Sequence, residues 1–151
     1  MTIKYEVNGR CRNEKIVHWY VCQLFKELKI HRLSSKFVSV EFVTKLDDWN
    51  QGECHGDIDE VTIFIAKKSR NKKGVVRQLT FLEQMISLAH EMVHAKQFLR
   101  GELGYSKNGD FTWKNRKAGG YKYKNQPWEK EALKGEKHLF MKCFPFLLYN
   151  K

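Results

Sequence analysis

Residues 76–100, "VRQLTFLEQMISLAHEMVHAKQFLR", constrain this chain more than any other stretch. Leu79, Leu82, Ile86, Ala89 and Val93 step by three and four residues. That spacing predicts one long helix with an apolar stripe laid against a core. Gly101 follows at once and suits the C-terminal cap. A second stripe runs beside the first: Glu83, Ser87, His90, His94 and Gln97 step by four, three, four and three. A helix built only to pack has no use for a polar seam, whereas a helix lining a cleft does. The rest of the chain must therefore cover one side of this helix and leave another side open.

The flanking sequence supplies the cover. Residues 14–30 carry Ile16, Val17, Trp19, Tyr20, Leu24, Phe25 and Leu28 at amphipathic helical spacing, with Asn13 placed as an N-cap and His31 as a cap at the far end. His18 reads as a boundary histidine of that helix. "KFVSVEFVTKL" (36–46) and "EVTIFIAKK" (60–68) alternate β-branched and aromatic residues and predict strands. The intervening "DDWNQGECHGDID" reads as a turn-rich connection, in which Cys54 and His55 are incidental, and "KKSRNKKG" as an exposed basic loop. Residues 103–126 are loop-like with a hairpin expected around "AGG", and a last helix opens near Gln126 with Pro127 in its first turn. The order predicts an α+β fold in one domain, 1–151: an N-terminal helix, a small mostly antiparallel sheet, the long helix and a C-terminal helix. No apolar run approaches the ~18–20 residues of a membrane helix. No secretory signal is visible, so a cytoplasmic protein is expected, without a membrane partner. Cys11, Cys22, Cys54 and Cys143 form no C-x-x-C pair, and reduced thiols are expected.

His90 and His94, at i and i+4, project from one helical face, close enough to share a metal ion. Neutral imidazole is a good zinc ligand, and Glu91, one residue on, can serve a zinc-activated water as general base. With 6 histidines among 151 residues the five-residue pattern arises by chance in roughly 2% of such chains. One Zn²⁺ per chain is the expected cofactor. A catalytic site wants a third protein ligand, for which His138, Glu102, Glu129, Glu131 and Glu136 are downstream candidates. "PWEKEA" favours Glu129 or Glu131, at the entry of a helix that must pack on the long one. The alternative for Glu129 is a capping-box glutamate.

"HEMVHAKQFLRGEL", the Trp-containing "FTWKNRKAGGYKYK" and "PWEKEA" together resemble small phage-type metallopeptidases similar to minimal gluzincins, over about residues 79–133. The resemblance implies a zincin-like fold and hydrolysis of peptide or protein substrates. It implies Glu129 as third ligand, three residues before Ala132, although Leu133 stands where an Asp is often found. It also implies that "EVTIFIA" is a sheet edge that receives an extended peptide, and that Tyr121 or Tyr123 assists the oxyanion.

The balance of 28 basic to 17 acidic residues, net +11, favours contact with polyanions or acidic partners. Lys114, Arg116, Lys117, Lys122 and Lys124 interleave with aromatic residues, a pattern that suits nucleic acid, though a solvated hairpin is the simpler expectation. A basic DNA- or host-protein-binding factor with a structural zinc site is thus the alternative function. A SprT-like protease acting on DNA-bound proteins is another, although that group uses a third histidine.

Overall fold

The structure, a computed structural model, describes residues 1–119 and 121–150, apart from the side chain of Lys124. It is an α+β arrangement of four helices and small sheets. The main sheet has four strands: β1 (Lys4–Asn8), β2 (Phe37–Val43), β3 (Gly52–Gly56) and β4 (Glu60–Ala66), in the order β1-β2-β4-β3. Helix α1 (Glu14–Glu27) carries the chain from β1 back to β2, and the two strands are parallel. β2 and β4 are parallel as well, and only β3 runs antiparallel, against β4. The mostly antiparallel expectation is therefore wrong. Strand composition does not fix strand direction. That is set by the crossovers, and α1 is the kind of connection a parallel pair requires.

Register aligns the apolar side chains. Val38, Val40 and Phe42 of β2 stand opposite Val61, Ile63 and Ile65 of β4, and all six are buried. From α1, Val17, Tyr20, Val21, Leu24 and Phe25 enter the same core. The Tyr20 hydroxyl donates to the Met85 carbonyl at 2.8 Å, which ties α1 to the long helix. Asn13 takes the N-cap position as expected, but it is left-handed (φ 50°) and caps through its backbone alone: its carbonyl accepts from the Val17 N–H at 3.0 Å and its side chain makes no cap bond. α1 ends well before His31, whose Nδ1 is buried without a partner, so His31 does not cap it either.

The long helix, α2, spans Phe81–Leu99. It starts later than its periodicity suggests because Thr80 accepts from the Glu83 backbone while the Glu83 side chain accepts from the Thr80 backbone. Such a capping box is worth about 1 kcal/mol and fixes the start. Residues 76–78 instead form a strand, β6 (Val76–Gln78), paired antiparallel with β5 (Lys68–Arg70), so the expected basic loop is a hairpin. At the other end Gly101 (φ 73°) closes the helix: its N–H donates to Phe98, and that of Glu102 to Gln97. These paired bonds form a Schellman motif, which needs a left-handed residue at that point. The main core face of α2 runs Phe81, Met85, Leu88, Met92, Ala95 and Leu99, offset from the stripe read in sequence. Thirteen residues of this helix are buried, so more than one apolar stripe can be traced along it.

Beyond α2 a three-stranded sheet follows: β7 (Leu103–Tyr105), β8 (Phe111–Trp113) and β9 (Arg116–Lys117). The β8–β9 turn is Lys114–Asn115, both at positive φ, the geometry of a two-residue type I′ turn. The hairpin is therefore not centred on "AGG", whose Gly120 lies outside the described residues. α3 (Pro127–Cys143), with Pro127 at its first position, packs along α2, and α4 (Phe146–Tyr149) follows. No described helix is long and apolar enough to cross a membrane, and the four cysteines are free thiols.

Candidate metal centre

Two features of α2 and α3 bring the site together. The i, i+4 spacing stacks His90 and His94 on one face of α2, their rings edge to face at 5.0 Å. Trp128 and Ala132 are buried in the core, which sets the first turn of α3 against that face. Glu129, at the third position of α3, then places one carboxylate oxygen 3.0 Å from Nε2 of His90 and 3.0 Å from Nε2 of His94. Donor atoms of the three residues lie within 4.8 Å of one another, and all three residues are buried. This cluster can hold a metal ion. The capping-box alternative for Glu129 is excluded, since its side chain turns to the histidines and Gln126 makes no side-chain cap bond.

Both rings are held from behind. His90 Nδ1 meets Glu136 Oε2 at 2.8 Å, and His94 Nδ1 meets Gln97 Oε1 at 2.8 Å. With those acceptors the Nδ1 proton is fixed, and Nε2 presents its lone pair to a metal. Gln97 is itself oriented: its amide donates to the Trp128 carbonyl and to Glu131 Oε1, each at 3.0 Å. Glu131, the alternative ligand in sequence, therefore supports Gln97, with Lys96 at 3.4 Å from the same oxygen. Glu102 pairs with Lys96, and His138 is exposed, so neither joins the cluster. Glu136 is two helical turns past Glu129, and Gln97 is one turn past His94. That spacing is the sequence signal by which the supporting pair is found.

The donor set fits a divalent metal: two imidazole nitrogens and one carboxylate oxygen, with both imidazole tautomers fixed. Without a metal the two Nε2 atoms carry protons instead and donate to the Glu129 carboxylate. Burial lowers the His90 imidazole, but the Glu129 bond and the Glu91, Glu129 and Glu136 carboxylates outweigh it and raise it to about 9. His94 is likewise raised, against burial, by Glu129. Burial pushes the Glu129 carboxyl up, and the two histidines overcome that, bringing it down to about 2.

Glu91 is 7% exposed and faces the cleft. Burial raises its carboxyl to about 7, with His94 and His90 pulling the other way. Gly52 of β3 lies directly over it: a Cβ there would sit 2.9 Å from Glu91 Oε2. β3 is thus both an edge of the main sheet and a wall of the cleft, the place the resemblance gave to "EVTIFIA". β4 sits between β2 and β3 and has no free edge. The segment read as a turn is this strand. Cys54 lines the cleft, but burial and then the Glu91 and Glu129 carboxylates raise its thiol well above the ordinary range, so it stays neutral. His55 is bonded to Glu53 at 3.1 Å.

The cleft encloses about 610 Å³. Five glutamates line it (Glu53, Glu83, Glu91, Glu129 and Glu136), and among the described residues no lysine or arginine does. Its far wall is apolar, with Phe98, Leu103, Tyr105 and Phe111 beside Trp128. Of the two candidate tyrosines, Tyr123 lines the cleft, its phenol raised by burial and by Glu129. Tyr121 packs edge-on against Trp128 outside it. The basic residues of the hairpin do not form a cleft. Lys114 lies over the Trp113 ring at 5.4 Å, while Arg116, Lys117 and Lys122 are exposed; the Lys124 side chain is outside the described residues. Comparisons with models of known protein families, with curated proteins and with solved structures find no match to this chain.

Proposed function

We propose that this protein is a zinc-dependent metallopeptidase, with His90, His94 and Glu129 as the metal ligands and Glu91 as general base. One observation carries the reading. Two Nε2 atoms and a carboxylate converge on one point, each ring is fixed from behind, and a further buried carboxylate lies beside them in an open cleft. A site that only braced the fold would not need Glu91 or a cavity. The spacing of the histidines and the resemblance to minimal gluzincins support the same reading.

Zinc, when bound, supplies a Lewis acid that acidifies a water and polarises a carbonyl. The chain supplies the remaining steps. Glu91 accepts a proton from the attacking water and delivers it to the departing amine, so that one water is consumed for each peptide bond cleaved. Tyr123, which lines the cleft, donates a hydrogen bond to the oxygen that gains charge. Edge strand β3 offers backbone groups to an extended peptide, and the aromatic wall offers apolar contact to its side chains.

The test is elemental analysis of protein purified without a metal-affinity tag, followed by peptide cleavage. About one zinc per chain is expected, with cleavage lost in Glu91→Gln while the zinc is retained. A chain that neither carries zinc nor takes it up when it is added back would overturn the proposal.

A further inference from the structure

A second cavity, of about 280 Å³, is lined by Arg10, Arg12 and Lys67 together with Cys11, Gln78 and Gln84. The parallel strands explain why three cations meet there. β1, β2 and β4 end on the same side of the sheet; Arg10 and Arg12 follow β1, and Lys67 follows β4. The Lys67 N–H donates to the Val43 carbonyl at the end of β2, at 2.9 Å. Gly9 is left-handed (φ 85°) and so close to the Phe42 carbonyl that a Cβ would collide with it. Only glycine lets the chain turn flush against β2 at that point and bring Arg10 in. The outer side of the carboxyl ends of parallel strands is a frequent place for ligands.

Among the described residues no carboxylate lines this cavity, and none of the three cations is in an ion pair. The nearby acid is Glu14, an exposed residue: burial first and then Glu14 raise the Cys11 thiol, while Lys67 lowers it. Gathering unpaired like charges costs free energy unless an anion is to be met. The β5–β6 hairpin that leads away from Lys67 carries Lys68 at its base and Lys72 and Lys73 at its turn, and the Leu79 N–H to Lys67 carbonyl bond (2.8 Å) anchors the hairpin to the cavity.

We propose that this cavity seats a phosphate group of a nucleic-acid backbone, with the β5–β6 hairpin following the strand beyond it. Two guanidinium groups suit the fork geometry of phosphate oxygens, and the lysine adds a point charge. Cations on a hairpin leading away from the cavity fit a polymer of evenly spaced charges better than one small anion. The hairpin, residues 68–78, carries no aromatic residue, whereas surfaces that settle on lipid commonly anchor through tryptophan or tyrosine.

Fluorescence anisotropy of the full chain with a labelled duplex and a labelled single strand tests this. Affinity is expected to fall steeply with added salt. The triple variant Arg10→Gln/Arg12→Gln/Lys67→Gln is expected to bind about tenfold more weakly at low salt, with a log–log salt slope shallower by about 2–3. The control Arg116→Gln/Lys117→Gln/Lys122→Gln removes the same charge elsewhere and is expected to change affinity by less than about threefold. If the first triple melts early, Lys72→Gln/Lys73→Gln replaces it, with an expected slope change of about 1–2. No binding by the wild type at low salt, equal losses in the two triples, or equally tight binding to phosphatidylglycerol vesicles would each overturn the proposal.

Discussion

Glu83 and Gln84 are neighbours in sequence, yet they look into different cavities on either side of the first turn of α2. On the Glu83 side the cleft is acidic, and its central side chains are buried and tied. His90 is held by Glu136, His94 by Gln97, and Gln97 by Glu131 and Trp128. On the Gln84 side the cavity is basic, Arg10 and Arg12 are exposed, and its cations have no ion-pair partner among the described residues. The first cavity fixes donor positions, so it selects a ligand by geometry, and single substitutions are expected to act strongly there. The second fixes only a field, so it selects by charge, and its substitutions are expected to act cumulatively.

The largest expected effect breaks the geometric side. Glu129→Gln or His94→Ala should lose the bound metal on dialysis, as read by elemental analysis, because either leaves two ligands where a stable site wants three. Retention of a full equivalent of zinc in both variants would show that Glu129 and His94 are not the ligands. Next in size is Gln97→Leu, which keeps all three ligands and removes the acceptor behind His94. It should weaken metal affinity by about 10–100-fold in a competition titration, whereas Glu131→Gln, one bond further out, should cost less.

Smaller again is Gly52→Ala, whose new methyl group meets the buried Glu91 carboxylate. A stability loss of about 1–3 kcal/mol is expected in denaturant unfolding. Gly119→Ala, which meets nothing nearer than 3.9 Å, should stay within about 0.5 kcal/mol. The smallest effect concerns Glu83, the one cleft-lining carboxylate with an arginine or lysine partner among the described residues. The bidentate Arg77 bond, ahead of an opposing burial effect, holds its carboxyl at about 2. Its folded value lies below the unfolded carboxylate value of ~4.3. The stabilisation is therefore complete above that value and fades as pH falls toward about 2. The melting-temperature gap between wild type and Glu83→Gln should narrow between those limits, and a gap independent of pH would rule the ion pair out as its source.

The centre of the site was legible in sequence because histidines at i and i+4 need only one helix to meet. Glu129 was legible as one of a pair, since Pro127 marks the start of α3. Choosing it over Glu131 required the packing of Trp128 and Ala132, which no local pattern states. The sheet was less readable. "KYEVN" is too short and too polar to stand out as β1, and "GECHG" has a glycine at each end and no apolar alternation. Both are strands because β2 and β4 offer them partners. Pairing direction, like the turn at Lys114–Asn115, depends on the path of the backbone between elements. Neither residue of that turn is the glycine that usually marks one.

The contact between Glu129 and the two histidines joins positions 35 and 39 residues apart. A metal bound there would act as a cross-link, closing a loop that contains the whole β7–β9 sheet. Closing such a loop restricts the unfolded chain much as a disulfide does. Docking of α3 and capture of the metal then become a single event, and a protease that nicks the chain between residues 103 and 126 would report on both.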